Sequence, residues 1–182
     1  MTPDPDWLSN DALFFRELSR GRRAELLVGT HLLSGGLAVY VPELHMSPRQ
    51  SRLDMIRDQE ACRGSVDLYV SHLHSNVWLP LEAKSRRLEF STPANYPFET
   101  ALVDTVSGWK EKAPKPVAVI LLSQQTSQCL VVPVSTEALW HIERHHDPIR
   151  HIEDSFFTCP KHLLRTFDDF VSWAHTRLGR ES

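Results

Sequence analysis

The run Val117-Ala118-Val119-Ile120-Leu121-Leu122 is apolar without interruption. Side chains on a strand alternate between two faces, so a strand with no polar residue on either face must be covered on both sides. Pro114 and Pro116 stand before the run and Ser123 to Ser127 read as a turn after it, which favours a buried strand. A chain built around such a strand needs a layer above and a layer below. Its 182 residues, 41% hydrophobic and 24% charged, suit one core of that kind and exclude extensive disorder. The expected fold class is α/β, a mixed central sheet of about five strands flanked by helices on both faces.

The remaining elements follow from periodicity. Leu13, Phe14, Leu18, Ala24, Leu27, Val28, His31 and Leu32 recur at spacings of three and four, predicting a helix from about Ser9 to Ser34. Gly21 is a break within it, and Gly35-Gly36 stop it. Leu37 to Val41 then read as a short strand closed by Pro42. Residues 43–63 are polar, Arg-rich and without a period, as a long loop would be. Residues 65–71 and 77–84 predict two strands of a hairpin joined through His72 to Asn76. Pro97 opens a helix predicted to run through Lys112, with Phe98, Leu102, Val106 and Trp109 along one face. Cys129 to Val134 make a further strand. The tail reads as a helix from Thr136 to about His145, a linker holding Phe156 and Phe157, and a last helix from Pro160 to Leu178. The expectation is one domain over residues 1–182, with a core over 9–134 and a helical extension over 135–182.

Chemistry concentrates in Asp67 and, fifteen residues on, Glu82-Ala83-Lys84. Glu82 and Lys84 project to one side of their strand, and Asp67 on the neighbouring strand can join them if the hairpin register allows. Two carboxylates and one ammonium would then meet on one face of a sheet. Hard divalent cations seek carboxylate oxygens, and Mg²⁺ in particular takes one or two carboxylates together with waters and phosphate oxygens. A lysine beside such a pair can hold an attacking water and oppose negative charge that builds up on phosphorus.

Val66-Asp67 followed by Glu82-Ala83-Lys84 resembles the signature of the PD-(D/E)XK nuclease superfamily, the restriction-endonuclease-like fold. Gly21-Arg-Arg-Ala-Glu25-Leu-Leu on the first helix is similar to the helix that carries an additional glutamate in many members. The predicted order of helix, strand, Asp-bearing strand, E-x-K strand, helix and strand resembles the family's αβββαβ core over roughly residues 9–134. Val66 stands where the motif's proline would be. The resemblance implies an Mg²⁺- or Mn²⁺-dependent nuclease, foremost a deoxyribonuclease. It implies Asp67 and Glu82 as metal ligands, assisted by the Ala83 carbonyl, Glu25 as an outer acid, and Lys84 as the catalytic lysine. By the same analogy a homodimer is expected, with specificity supplied by the loop, the C-terminal region or a protein partner. The alternative function is a restriction-like fold that binds nucleic acid or protein without cutting; the alternative for the motif itself is that Asp67, Glu82 and Lys84 form a surface salt bridge on a solvated strand face.

Weaker signals surround the motif. Arg52 and Arg57 in the long loop, and Arg86 and Arg87 directly after Lys84, are candidate phosphate contacts, which position a nucleic acid without reading its sequence. Solvated arginines account for them equally well. His141 and His145 stand four apart on a predicted helix, a zinc-compatible spacing, but no H-E-x-x-H accompanies them and exposed histidines are the default. The net charge of −3 excludes a whole-molecule positive field, so a polyanion would bind a local patch with metal ions helping to neutralise it. Three separated cysteines exclude a disulfide framework. No apolar run approaches the about 18 residues of a membrane span, and no signal peptide is visible, so a cytoplasmic protein with no membrane partner is expected.

Overall fold

The computed structural model describes residues 21–42, 65–147 and 152–179. Helix α1 occupies residues 21–34 and ends as its sequence predicts. The Leu37 N–H donates to the Leu32 carbonyl (3.1 Å) and the Gly36 N–H to the Leu33 carbonyl (2.9 Å), the two bonds of a Schellman stop. Gly36 adopts φ +83°, a left-handed conformation that favours glycine. Leu32 and Leu37, at the two ends of the longer bond, are both buried and close the motif.

A six-stranded sheet follows the order β1-β2-β3-β5-β6-β9. Its strands are β1 (Ala38–Tyr40), β2 (Leu68–Ser71), β3 (Leu79–Arg86), β5 (Ala118–Ser123), β6 (Cys129–Pro133) and the two-residue β9 (Arg165–Thr166). The pairs β1–β2 and β2–β3 are antiparallel, β3–β5 is parallel, and β5–β6 and β6–β9 are antiparallel. The five expected strands are present, and β9 extends them at one edge. Every residue of β5 is buried, as its uninterrupted apolar sequence requires.

Alternation along these strands divides the interior in two. Leu68, Val70, Leu79, Leu81, Ala118, Ile120, Leu122, Cys129 and Val131 face one way. They meet Ala24, Val28 and Leu32 of α1 and Phe170, Ala174 and Leu178 of helix α3 (Phe167–Gly179). Val119, Leu121, Leu130 and Val132 face the other way, onto Phe90, Ala101, Val103, Trp109, Trp140 and Cys159. The cover on that second side is chiefly a three-stranded antiparallel sheet of β4 (Thr100–Thr105), β8 (Ile152–Pro160) and β7 (His141–Asp147), joined by the short helix α2 (Val106–Glu111). With α1 before β1 and α2 between β3 and β5, the order α-β-β-β-α-β and the mixed pairing meet the expectation of a restriction-endonuclease-like α/β core.

The second sheet corrects three expectations, and the start of the last helix is a fourth. The helix predicted from Pro97 to Lys112 is β4 followed by only six helical residues. Ala101 and Val103 point inward, the strand pairs with β8 from Thr100↔Pro160 to Thr105↔Phe156 with a bulge at Val103, and Phe98, on the predicted apolar face, is exposed. The helix predicted from Thr136 to His145 is a 3-10 segment, Val134–Leu139, followed by β7, which pairs with β8 along its full length. Phe156 and Phe157, read as a linker, lie within β8. The last helix starts at Phe167 rather than Pro160, so the C-terminal extension contributes one α-helix rather than several. The cause is common to them: the local pattern is weak, and pairing within a sheet decided the conformation, with β8 for β4 and β7 and with β6 for β9. Among the described residues, no helix is long and apolar enough to cross a membrane.

Replacing Gly36 with alanine is expected to lower stability by about 1 kcal/mol, the cost of a left-handed conformation for a residue bearing a Cβ. Urea unfolding of Gly36→Ala, which leaves open space within contact distance only of His175, measures that cost directly.

Candidate active site

β3 runs through the middle of the large sheet, and its alternation assigns its chemistry. Leu81 and Ala83 face α1 and α3, so Glu82, Lys84 and Arg86 face the second sheet. Asp67 stands one residue before β2. Its N–H donates to the Leu81 carbonyl (3.1 Å), continuing the ladder beyond the Leu68↔Leu81 pair. Its Oδ2 accepts the Ala83 N–H at 2.9 Å. The register that the sequence left open therefore brings Asp67 across from Glu82.

Glu82 is 2% exposed, and each of its carboxylate oxygens meets a lysine. The Lys84 Nζ lies 2.8 Å from Oε1 and the Lys112 Nζ 2.6 Å from Oε2. Lys112 also donates to the Ser65 carbonyl at 2.9 Å, holding the approach to Asp67. Lys84 reaches Asp104 Oδ2 on β4 at 3.1 Å, which links the two sheets. Asp104 Oδ1 accepts the Thr105 N–H (2.8 Å), and Thr105 Oγ1 accepts the Gly108 N–H (3.1 Å) to cap α2. A Cβ on Gly108 would stand 2.8 Å from that hydroxyl, so the cap requires a residue without a side chain there. Three carboxylates, Asp67, Glu82 and Asp104, thus face two ammoniums, and the Arg86 guanidinium on the same face also acts on Asp104.

The electrostatics follow from the enclosure. Burial, then repulsion from Glu82, push Asp67 up to about 7, and the Ala83 N–H, Lys84 and Lys112 only partly offset them. Burial works against the Lys84 ammonium, yet Glu82 and Asp104 hold its pKa above the ordinary lysine value. The result is a half-buried acid that resists ionisation beside a lysine fixed in its charged form.

The other expected residues are distributed more widely. Glu25 lies on α1, which packs on the opposite face of the sheet, and its Oε2 takes a hydrogen bond from Arg22 at 2.6 Å. Arg86 is half-buried beneath β4, where it donates to the Leu102 carbonyl at 2.6 Å. Burial lowers its pKa, and its Nε has no hydrogen-bond partner among the described residues. Arg87 is exposed, and its carbonyl accepts from Gln125 Nε2 at 3.3 Å. Arg52 and Arg57 lie outside the described residues. His141 and His145 are on a strand rather than a helix, and among the described residues no group of three or more His, Cys, Asp and Glu side chains is placed to hold a metal ion. Asp104 and Lys112 are the site residues that sequence reasoning missed. Both were counted within a single amphipathic helix, and only the β4 pairing and the turn after α2 bring them to Glu82.

No family model matches the chain, and no curated protein matches it. Among solved structures it is similar to Hjc, a Holliday junction resolvase from Archaeoglobus fulgidus. That match has a TM-score of 0.46 and 12% identity, covering 84% of this chain and 96% of that one. A bacterial homing endonuclease matches at a TM-score of 0.39 and 14% identity, over 88% of this chain and 90% of the other. A nuclease from a fusselovirus matches at 0.39 and 11% identity, over 100% and 99%. At these values the roles of individual residues rest on the geometry of this chain alone.

Two predictions follow from the charges. The folded-state pKa of Asp67, about 7, lies above its unfolded value of 3.8, so the folded protein binds the extra proton between those limits. Stability from this group is complete below pH ~4 and declines as pH rises through ~7. Asp67→Asn, whose amide oxygen can still accept the Ala83 N–H, is expected to be more stable than the wild type by on the order of 2 kcal/mol at pH 8 and no more stable at pH 4. Denaturant titrations at the two pH values test this. Lys112→Ala strips one counter-charge from buried Glu82 and is expected to cost about 3 kcal/mol at neutral pH in the same assay.

Proposed function

We propose that this chain is a nuclease, hydrolysing phosphodiester bonds with the aid of Mg²⁺ or Mn²⁺, with DNA as the expected substrate. The observation that carries this reading is the convergence of Asp67, Glu82 and Lys84 on one face of a mixed sheet, in the order and spacing of the PD-(D/E)XK motif. The donor set fits a hard cation. It consists of carboxylate oxygens and contains an acid whose pKa is raised by burial and by repulsion from Glu82, a penalty that a bound cation would relieve. Glu82 receives two lysine contacts yet has about four lone-pair sites, so acceptor capacity remains.

Asp67 and Glu82 would hold the cation, with the Ala83 carbonyl as a further oxygen. The bound ion would supply charge neutralisation at the phosphate and a more acidic water. Lys84, fixed by Glu82 and Asp104, would hydrogen-bond the attacking water and oppose the negative charge developing on the phosphoryl oxygens. Asp104 acts through Lys84 and is a positioning residue. Glu25 belongs to the proposed outer acids only by its place on the first helix, since its carboxylate is engaged by Arg22. One observation favours a second reading, a binding module that does not cut: two lysines already neutralise Glu82 within the protein.

Plasmid, linear duplex, single-stranded DNA and RNA incubated with Mg²⁺, Mn²⁺ or EDTA separate the readings. Metal-dependent cutting is expected, falling on the order of 100-fold or more in Lys84→Ala while circular dichroism stays unchanged. Cutting that persists in Lys84→Ala would exclude this site as its source.

A further inference from the structure

The face that carries Asp67 and Glu82 continues past the second sheet. Along β2 and β3 the residues preceding or following the acids on the same side are Tyr69, Pro80 and Trp78, since Leu68, Val70, Leu79 and Leu81 take the opposite side. Tyr40 on β1 stands directly opposite Tyr69, which itself stands opposite Pro80. The rings gather there: Tyr40 lies 6.1 Å from Tyr69 and 6.4 Å from Trp78, centroid to centroid. Tyr40 is 54% exposed and Trp78 45%. The second sheet covers this face at Arg86, which bonds to β4, and leaves it open at Trp78. Asp67 and Glu82 lie between the covered and the open parts.

We propose that Tyr40, Tyr69 and Trp78 form a stacking platform for unpaired nucleobases beside the phosphodiester presented to Asp67, Glu82 and Lys84. The substrate class is then single-stranded or locally unpaired nucleic acid. This inference rests on the nuclease reading of the site. Large rings held in water on a sheet face gain by meeting flat π-systems, and stacking is tolerant of sequence because every base has such a face. Bases inside a duplex are already stacked and do not present that face. From Glu82 to Trp78 the strand covers about 13 Å, and from Glu82 to Pro80, opposite Tyr69, about half of that. At roughly 3.4 Å per stacked nucleotide, the platform receives bases two to four positions from the phosphate at the acids. Continuity with the acid pair selects nucleic acid over an apolar protein surface, because a chain laid across the rings leads its backbone to the charged site.

The test is fluorescence anisotropy with a labelled single-stranded DNA of about 15 nucleotides, a length within the range of known single-strand sites, and with the duplex of the same sequence, both in EDTA. Trp78→Ala and Tyr40→Ala are each expected to weaken single-strand binding by about tenfold, and duplex binding by less than twofold. Trp78→Phe, which keeps a ring, should restore most of the loss. Equal loss on both substrates, or no loss on either, overturns the platform, as does a concentration-dependent dimer in light scattering that Trp78→Ala dissolves. Cleavage by the same variants separates the two levels of inference. A wild type that binds single strands through the rings yet never cuts removes the nuclease reading and keeps the platform. A Trp78→Ala protein that cuts single strands at wild-type rate and affinity keeps the nuclease and removes the platform.

Discussion

A carboxylate taken out of water demands positive charge beside it, and Glu82 obtains it from two directions. Lys84 comes from the same strand, two residues on. Lys112 comes from the end of α2, thirty positions away in the chain. These contacts fasten three parts of the fold to one point. Lys84 reaches on to Asp104 and thereby holds the second sheet against the first, and Lys112 reaches on to the Ser65 carbonyl at the entrance to β2. Removing Glu82 would leave two partly buried ammoniums without their principal partner, so the residue is structurally central whatever chemistry the site performs.

The same cluster constrains what that chemistry can be. A surface ion pair is solvated and contributes little. This one is enclosed and holds Asp67 with its proton bound more tightly than an ordinary aspartate. The paired carboxylates and the acid that resists ionisation are the features on which the proposed hard cation rests.

Much of this was legible in the chain. β5 announced itself by six consecutive apolar residues, α1 by its stripe and its Gly35-Gly36 stop, and the hairpin by two strand-like runs around a polar turn. Asp67, Glu82 and Lys84 were legible as a group because strand alternation is a local rule: two residues apart means one face. The second sheet was not. β4, β7 and β8 carry no clean alternation, and the residues between Thr136 and His145 satisfy a helical reading about as well as a strand. Their conformation comes from the ladder among Thr100–Thr105, His141–Asp147 and Ile152–Pro160, in which β7 and β8 pair as neighbours in the chain while β4 joins β8 across 51 to 60 positions. Asp104 and Lys112 were hidden with them.

By itself, the sequence determined the buried central strand, the two-sided core it requires, the end of the first helix and the pairing of Glu82 with Lys84. All of these depend on side-chain chemistry within a few residues of one another. Only the tertiary structure decided that Asp67 lies in register with Glu82, that Asp104 and Lys112 complete the charge cluster, and that Tyr40, Tyr69 and Trp78 share an open face beside it. Those facts depend on how strands distant in sequence align, and a shift of one residue in any of them would turn the same side chains to the other face.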